Sequence, residues 1–249
     1  MEDHWVQGCA GPAMVSQWSG PTTLAAGAPH DDMALPIPMI LEPMAAQAVD
    51  RLPVGPNWSY EPKYDGFRCL AFRDGPSVRL MSRNRRPLER YFPELVVAMR
   101  GSRPPRFVID GEIVIPDEPF ESLQLRLHPA ASRVAELAEA HPAVLIAFDL
   151  LVDANGESLV GRPFAERRKA LRSLVRTAGR GSRIVLAKST CSVAVARRWL
   201  GGQGLDGIVA KRIDHPYRPG RRDMAKYKVW KTIDCVVGGI DRGRGGAVD

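Results

Sequence analysis

The stretch Glu61-Pro62-Lys63-Tyr64-Asp65-Gly66-Phe67-Arg68 decides the reading of this chain: a lysine stands just ahead of an apolar strand, followed at once by an acid, a glycine and an arginine. Taken alone, Lys-x-Asp-Gly is a short pattern, and a lysine at a strand end is ordinarily solvated. Composition gives it weight. Only seven of the 35 basic residues are lysines (Lys63, Lys169, Lys188, Lys211, Lys226, Lys228 and Lys231). Lysine can shed its proton and act as a nucleophile, whereas arginine in practice cannot. In so arginine-rich a chain each lysine is a candidate for chemistry.

Outward from that stretch, Phe67, Leu70 and Phe72 mark an apolar strand, Arg73-Asp74-Gly75-Pro76 a turn, and Val78-Arg79-Leu80-Met81 a second strand. The expectation is a β-hairpin. A helix is expected from Pro93 to Met99, with proline in its first turn. Two apolar runs, Phe107-Val108-Ile109 and Ile113-Val114-Ile115, are separated by Asp110-Gly111-Glu112. Helical character follows at 120–127 and 130–140, a buried strand at 144–152 and a charged surface helix at 163–177. Then come a strand at 183–187, a helix at 193–201, and last strands at 208–210, 225–230 and 234–240. Interspersed strands and helices point to an α+β domain. Residues 1–34, rich in Gly, Ala, Pro and Ser, read as a flexible leader, and Pro36 to Pro56 as a proline-punctuated approach to the folded body at 35–238. The Gly/Arg-rich 239–249 reads as a tail.

With 249 residues and 45% hydrophobic composition, the chain can bury a full core. No stretch approaches the roughly 20 apolar residues of a membrane span, and no secretory signal is evident, so no membrane partner is expected. Cys9, Cys69, Cys191 and Cys235 lie far apart without Cys-x-x-Cys spacing, which fits neither a zinc site nor a disulfide framework and suits a reducing, cytoplasmic compartment. A net charge of +7 and a pI near 9.5 favour an anionic partner such as nucleic acid or a nucleotide.

Further pieces follow Lys63 in order: Ser82-Arg83-Asn84, Asp110-Gly111-Glu112-Ile113, Phe148-Asp149-Leu150-Leu151, Asp206-Gly207-Ile208-Val209-Ala210-Lys211 and Lys226-Tyr227-Lys228. Strand residues two apart face the same side, so Lys226 and Lys228 are expected to point into one pocket. With the linking segments Arg85-Arg86-Pro87-Leu88-Glu89-Arg90-Tyr91-Phe92-Pro93-Glu94-Leu95 and Leu123-Gln124-Leu125-Arg126-Leu127-His128-Pro129, these motifs carry a resemblance. From about Pro36 to Gly239 the chain resembles the covalent nucleotidyltransferases: ATP-dependent DNA ligases, RNA ligases and mRNA-capping enzymes. Within them it is most similar to small bacterial ATP-dependent DNA ligases of the end-joining type.

The resemblance implies an α+β nucleotidyltransferase (ATP-grasp-like) fold, two antiparallel sheets with flanking helices around a nucleotide cleft. It implies that Lys63 attacks the α-phosphate of ATP to give a lysyl-AMP, that AMP passes to the 5′-phosphate of nicked double-stranded DNA, and that the 3′-OH then seals the strand in repair or recombination. An ordinary lysine is neutral only about once in a few thousand molecules at pH 7, so such a nucleophile needs nearby positive charge. By the same resemblance Lys226 and Lys228 neutralise charge on the α-phosphate, Arg68 and Arg83 contact the nucleotide or the nick phosphate, and Glu61 meets the adenine edge. Phe148 stacks on adenine, Glu112 holds the ribose and influences the metal, and Asp206 is a metal-associated acid for Mg²⁺ or Mn²⁺. His128 and His215 are read as structural.

Many relatives carry Glu where this chain has Asp206, and Trp where it has Met224. The family pattern continues after about Gly238 into an OB-fold domain, so nick sealing by this chain alone is expected to be weak. A monomer is expected, with end-joining proteins as partners. Two rivals stand beside this reading: an RNA ligase or GTP-dependent capping enzyme, and a non-catalytic module that binds DNA or a repair partner.

Overall fold

A computed structural model describes residues 33–128, 130–202 and 204–228. In chain order the elements are β1 (Ala45–Ala48), β2 (Trp58–Tyr64), β3 (Phe67–Asp74), β4 (Ser77–Ser82), α1 (Pro93–Arg100), β5 (Arg106–Val114), α2 (Phe120–Gln124), α3 (Ala131–Ala140), β6 (Val144–Val152), α4 (Phe164–Ala178), β7 (Ile184–Leu186), α5 (Val193–Arg197), β8 (Leu205–Arg212) and β9 (Arg222–Tyr227). The strands form two sheets, one in the order β1-β9-β8-β2 and one in the order β4-β3-β5-β6-β7.

The β3–β4 hairpin stands where the sequence places it, with Asp74 opposite Ser77 and Gly75 at a φ of 57° in the two-residue turn. The same φ region is open to glycine at little steric cost. Helix α1 has its proline in the first turn and buries Leu95 and Met99, four apart on one face. The expected α+β class with two sheets holds, but the sheets are not purely antiparallel. Strand β1 runs parallel to β9, and β7 parallel to β6, each at a sheet edge.

Three expectations are revised. Asp110-Gly111-Glu112 does not interrupt the apolar run: Arg106 to Val114 is one strand, whose pairing with β6 shifts register between Asp110 and Gly111. Helix α4 is more than a charged surface helix, because Phe164, Arg167, Arg168, Leu171, Leu174 and Ala178 lie buried along one of its faces. The proline-punctuated approach contains a strand, β1, that the sequence pattern does not reveal. Three alanines and a glutamine carry little hydrophobic periodicity, and the strand exists because β9 offers it an edge. The expected strand at 234–240 and the tail lie outside the described residues.

The main core fills the space between the five-stranded sheet and the helices α1, α2 and α4, with Phe92, Leu95, Phe107, Ile109, Leu145 and Leu171 fully buried. Each such side chain contributes about 1.5–3 kcal/mol by leaving water. A second cluster (Ile37, Met44, Leu70, Phe72, Leu151, Tyr217 and Met224) draws on residues of both sheets. The chain between the sheets is tight at the lysine motif: a Cβ on Gly66 would stand 2.2 Å from the Ile113 carbonyl oxygen. Only glycine lets β3 begin this close to β5, which explains the glycine two residues after Tyr64.

A candidate nucleotide-binding active site

Register places the site. In the smaller sheet Lys63 faces Gly207 across β2–β8, and Glu61 faces Val209. Val209 in turn faces Lys226 across β8–β9. Alternation along each strand therefore puts Glu61 and Lys63, Val209 and Lys211, and Met224 and Lys226 on one side. From the larger sheet, Arg68 pairs with Glu112 across β3–β5, and Phe148 comes from β6. These side chains, with Arg83 and Tyr64, line one cavity of about 190 Å³.

Seven of the nine residues named from sequence thus share a wall: Lys63, Glu61, Arg68, Arg83, Glu112, Phe148 and Lys226. The other two do not line the cavity: Asp206 holds its lysine, and Lys228 shares that carboxylate. Lys63 Nζ donates to Asp206 Oδ2 at 2.6 Å, and Lys228 Nζ stands 2.7 Å from the same oxygen. Lys226 and Lys228 therefore divide: one faces the cavity and the other reaches the carboxylate behind Lys63. Gly207 makes this possible. At a φ of 150°, its missing Cβ would lie 2.1 Å from the Tyr227 carbonyl oxygen, so a side chain there would push the end of β9 away from β8.

Arg68 is more constrained than its expected role suggests. Its guanidinium makes two hydrogen bonds to the buried Asp110, at 2.5 and 2.6 Å, and a third to the Met44 carbonyl at 3.1 Å. Tyr217 donates its hydroxyl to the same Asp110 at 2.7 Å and accepts from Met44 N–H at 2.9 Å. The Arg68 guanidinium also lies over the Phe148 ring, 4.6 Å from its centroid. Arg68 is thus braced at the cavity wall.

The electrostatics are uneven. Burial pushes the Glu112 carboxyl up to about 7, with Arg68 and Lys63 pulling the other way. Burial also lowers the Lys226 ammonium, helped by the cations of Lys228, Lys63, Arg83 and Arg222. For Asp206, burial acts upwards, but the hydrogen bonds from Lys228 and Lys63 outweigh it and hold the carboxyl below its ordinary value. The result is a cavity with a cationic mouth, able to take a polyphosphate, and an inner end with an aromatic face and a carboxylate, suited to a base.

Two residues of this site were given no role from sequence, although Lys211 stood among the lysine candidates and ends the motif that begins at Asp206. Lys211 is almost buried, with Nζ 2.7 Å from Glu61 Oε2, 3.3 Å from the Phe148 carbonyl oxygen and 4.5 Å from the Phe148 ring centroid. Its signal was its place two residues beyond Val209 in an alternating strand. Arg168, on α4, reaches Glu61 from behind at 3.4 Å, and no local pattern announces that.

Residues 38–228 match the family model described as the ATP dependent DNA ligase domain. The chain belongs to the ATP-dependent DNA ligase family. It is 49% identical over 221 residues to DNA ligase C2 of Mycolicibacterium smegmatis, a match covering 86% of this chain and 61% of that protein. It is 48% identical over 215 residues to DNA ligase C of Mycobacterium tuberculosis, covering 83% of this chain and 59% of that one. The chain therefore spans about three fifths of the length of these curated relatives. Among solved structures, the ligase domain of M. tuberculosis LigD superposes with a TM-score of 0.56 at 28% identity, covering 76% of this chain and 60% of that one. A mycobacterial DNA ligase D complexed with ATP and MES gives a TM-score of 0.55 at 27% identity, covering 78% and 62%. These relatives do not favour the RNA-ligase or capping alternatives. Among the described residues no helix is long and apolar enough to cross a membrane, and Cys69 and Cys191 are free thiols.

Proposed function

We propose that this chain is the adenylation core of an ATP-dependent DNA ligase, with Lys63 as the nucleophile. The observation that carries the reading is the placement of Lys63 Nζ between Asp206 and a cavity lined by Glu61, Arg68, Arg83, Glu112, Phe148 and Lys226. The base of ATP lies at the inner end, with Phe148 at its face and Glu61 at its edge, and the phosphates lie at the mouth beside Lys226. Attack requires the Lys63 amine to leave Asp206 and lose its proton. A bond then forms between Nζ and the α-phosphorus, the bond from that phosphorus to the bridging oxygen breaks, and pyrophosphate departs. Lys226, which lines the cavity, stabilises the negative charge that builds on the α-phosphate, and Lys228 can join it only by leaving Asp206.

Glu112 and Asp206 are the residues that would hold a divalent cation. Among the described residues there is no cluster of three or more acidic, His or Cys side chains of metal-binding type. Two carboxylates fit Mg²⁺, which takes few protein oxygens and completes its shell with phosphate oxygens and water. When bound, it would supply positive charge at the phosphates. In the later steps AMP passes to a nick 5′-phosphate and the 3′-OH displaces it. We assign Arg68 and Arg83 to contact with the nucleotide or the nick phosphate, and nicked duplex DNA of a bacterial cytoplasm, in end-joining repair, as the substrate. The net charge of +7 supports a polyanionic partner.

The test is incubation with α-labelled ATP and Mg²⁺ followed by a denaturing gel. Label is expected on the wild type and absent from Lys63→Ala and Lys63→Arg, a loss of more than about a thousandfold. Label that persists in Lys63→Arg overturns the assignment of the nucleophile.

A further inference from the structure

The inner end of the cavity contains an ion cluster that the reaction chemistry leaves unexplained. Glu61, Lys211 and Arg168 are all buried, and the two cations approach the one carboxylate from opposite partners. Lys211 takes Glu61 Oε2 at 2.7 Å. Arg168 Nη1 stands 3.4 Å from Oε1, close enough for charge but outside hydrogen-bond geometry, so Glu61 Oε1 accepts no hydrogen bond. Arg168 is itself fixed: its Nη2 donates to the carbonyl of Ala187, whose own N–H is bonded to Ala147, next to Phe148. Lys211 likewise touches both the carbonyl and the ring of Phe148.

A lone carboxylate in such a place is costly, and two cations for one anion exceed what neutralisation requires. The surplus has a consequence for binding. Both oxygens of this carboxylate face cations, and a carboxylate paired in this way presents acceptors only. The wall that Glu61 forms therefore favours a base edge that donates, such as a 6-amino group, and repels one that accepts, such as a 6-oxo group. We infer that Arg168, acting with Lys211, is the positioning residue that sets base selectivity, by holding Glu61 as an acceptor beside Phe148. The inference rests on the reading of Glu61 and Phe148 as the base-contacting pair, and it makes α4, which packs on β6 and β7, part of the specificity apparatus.

Calorimetric binding of ATP, GTP and purine riboside triphosphate (which lacks the 6-amino group) to the full chain tests it without depending on the covalent step. The wild type is expected to bind ATP at least about tenfold more tightly than either analogue, the size of one buried hydrogen bond to a charged group. In Arg168→Met that ratio should fall about tenfold, through weaker ATP binding, while Arg168→Lys retains most of it. In the labelling assay the same variant should show a raised KM for ATP with its rate at saturating ATP within about threefold of wild type. If Arg168→Met weakens all three nucleotides equally, or leaves the ratios unchanged, the inference is wrong. Should that variant not fold, Lys211→Met and the analogue series on the wild type decide it, since a wild type indifferent to the 6-substituent also overturns the proposal. A chain that shows the selectivity in binding but never carries label keeps this inference and loses the assignment of Lys63.

Discussion

The ion pairs that brace the larger sheet differ in kind from the one that holds Lys63. The five-stranded sheet is braced by arginines in fork contact with carboxylates. Arg167 grips Asp149 at 2.8 and 2.9 Å, and Arg68 grips Asp110 at 2.5 and 2.6 Å. The Arg167–Asp149 pair is 1% exposed on both sides. At the Lys63 end of the four-stranded sheet the partners are lysines instead: Lys63 and Lys228 share a single oxygen of Asp206, with side-chain exposures of 24%, 36% and 30%. A guanidinium holds a carboxylate by two parallel bonds and keeps its proton, so it suits a brace. An ammonium is a single point of charge on a flexible stem, and it can let go. The difference teaches where this molecule is built to stay still and where it is built to react.

The strongest way to break the comparison is Arg167→Met. Removing this guanidinium leaves the Asp149 carboxyl without its fork partner in a dry interior and the Arg162 carbonyl without its donor, while the His215 carbonyl keeps only the Phe164 N–H. A loss of about 3–5 kcal/mol is expected, read as a fall in the urea midpoint. A loss below about 1 kcal/mol would mean that the buried arginines do not brace the larger sheet.

Glu112→Gln should have an intermediate effect with a distinctive pH dependence. The folded protein holds the Glu112 proton up to about pH 7, against an ordinary value of 4.5. Between those values the folded state binds more protons than the unfolded state, so wild-type stability falls as pH rises from about 4.5 to 7. Glutamine lacks this penalty. The variant should match the wild type near pH 4 and exceed it above pH 7 by up to about 3 kcal/mol, measured by urea unfolding across pH. Parallel pH curves for the two proteins would contradict the assignment.

Asp206→Asn should change stability least, by at most about 1 kcal/mol, because the pair is partly open to solvent. Its contribution is present above the ordinary carboxylate value of 3.8 and disappears as pH falls through the depressed folded value, so any difference from wild type should close in strong acid. Lysine labelling, in contrast, should drop more than about tenfold. A large stability loss with normal labelling would place Asp206 among the braces and remove the distinction between the sheets.

Much of the fold was legible where a single element explains its own pattern. The β3–β4 hairpin, strand β6 and helix α1 follow from alternation, a glycine turn and a proline start. The Asp110-Gly111-Glu112 triplet misled because polar residues in an apolar run look like a break. In the structure Asp110 is fully buried, held by Arg68 and Tyr217, and the strand runs on. Strand β1 was illegible for the opposite reason: Ala45–Ala48 has almost no side-chain signal, and only β9 gives it a partner.

The sequence by itself determined which residues have reactive or ligand-binding chemistry, because lysines are scarce in this chain and its motifs follow one another in a recognisable order. It also determined that Lys226 lies on a strand, since residue type and two-residue alternation are local properties, whereas Lys63 was expected just ahead of a strand and stands on β2. Only the tertiary structure decided that Lys228 turns to Asp206 while Lys226 faces the cavity, that Arg68 is already held by Asp110, and that Arg168 on α4 reaches Glu61. These depend on register between strands and on packing between a helix and a sheet, which join residues far apart in the chain, 143 positions in the Lys63–Asp206 pair. Distances of that kind are set by the closure of the whole fold and have no trace in the spacing along the chain.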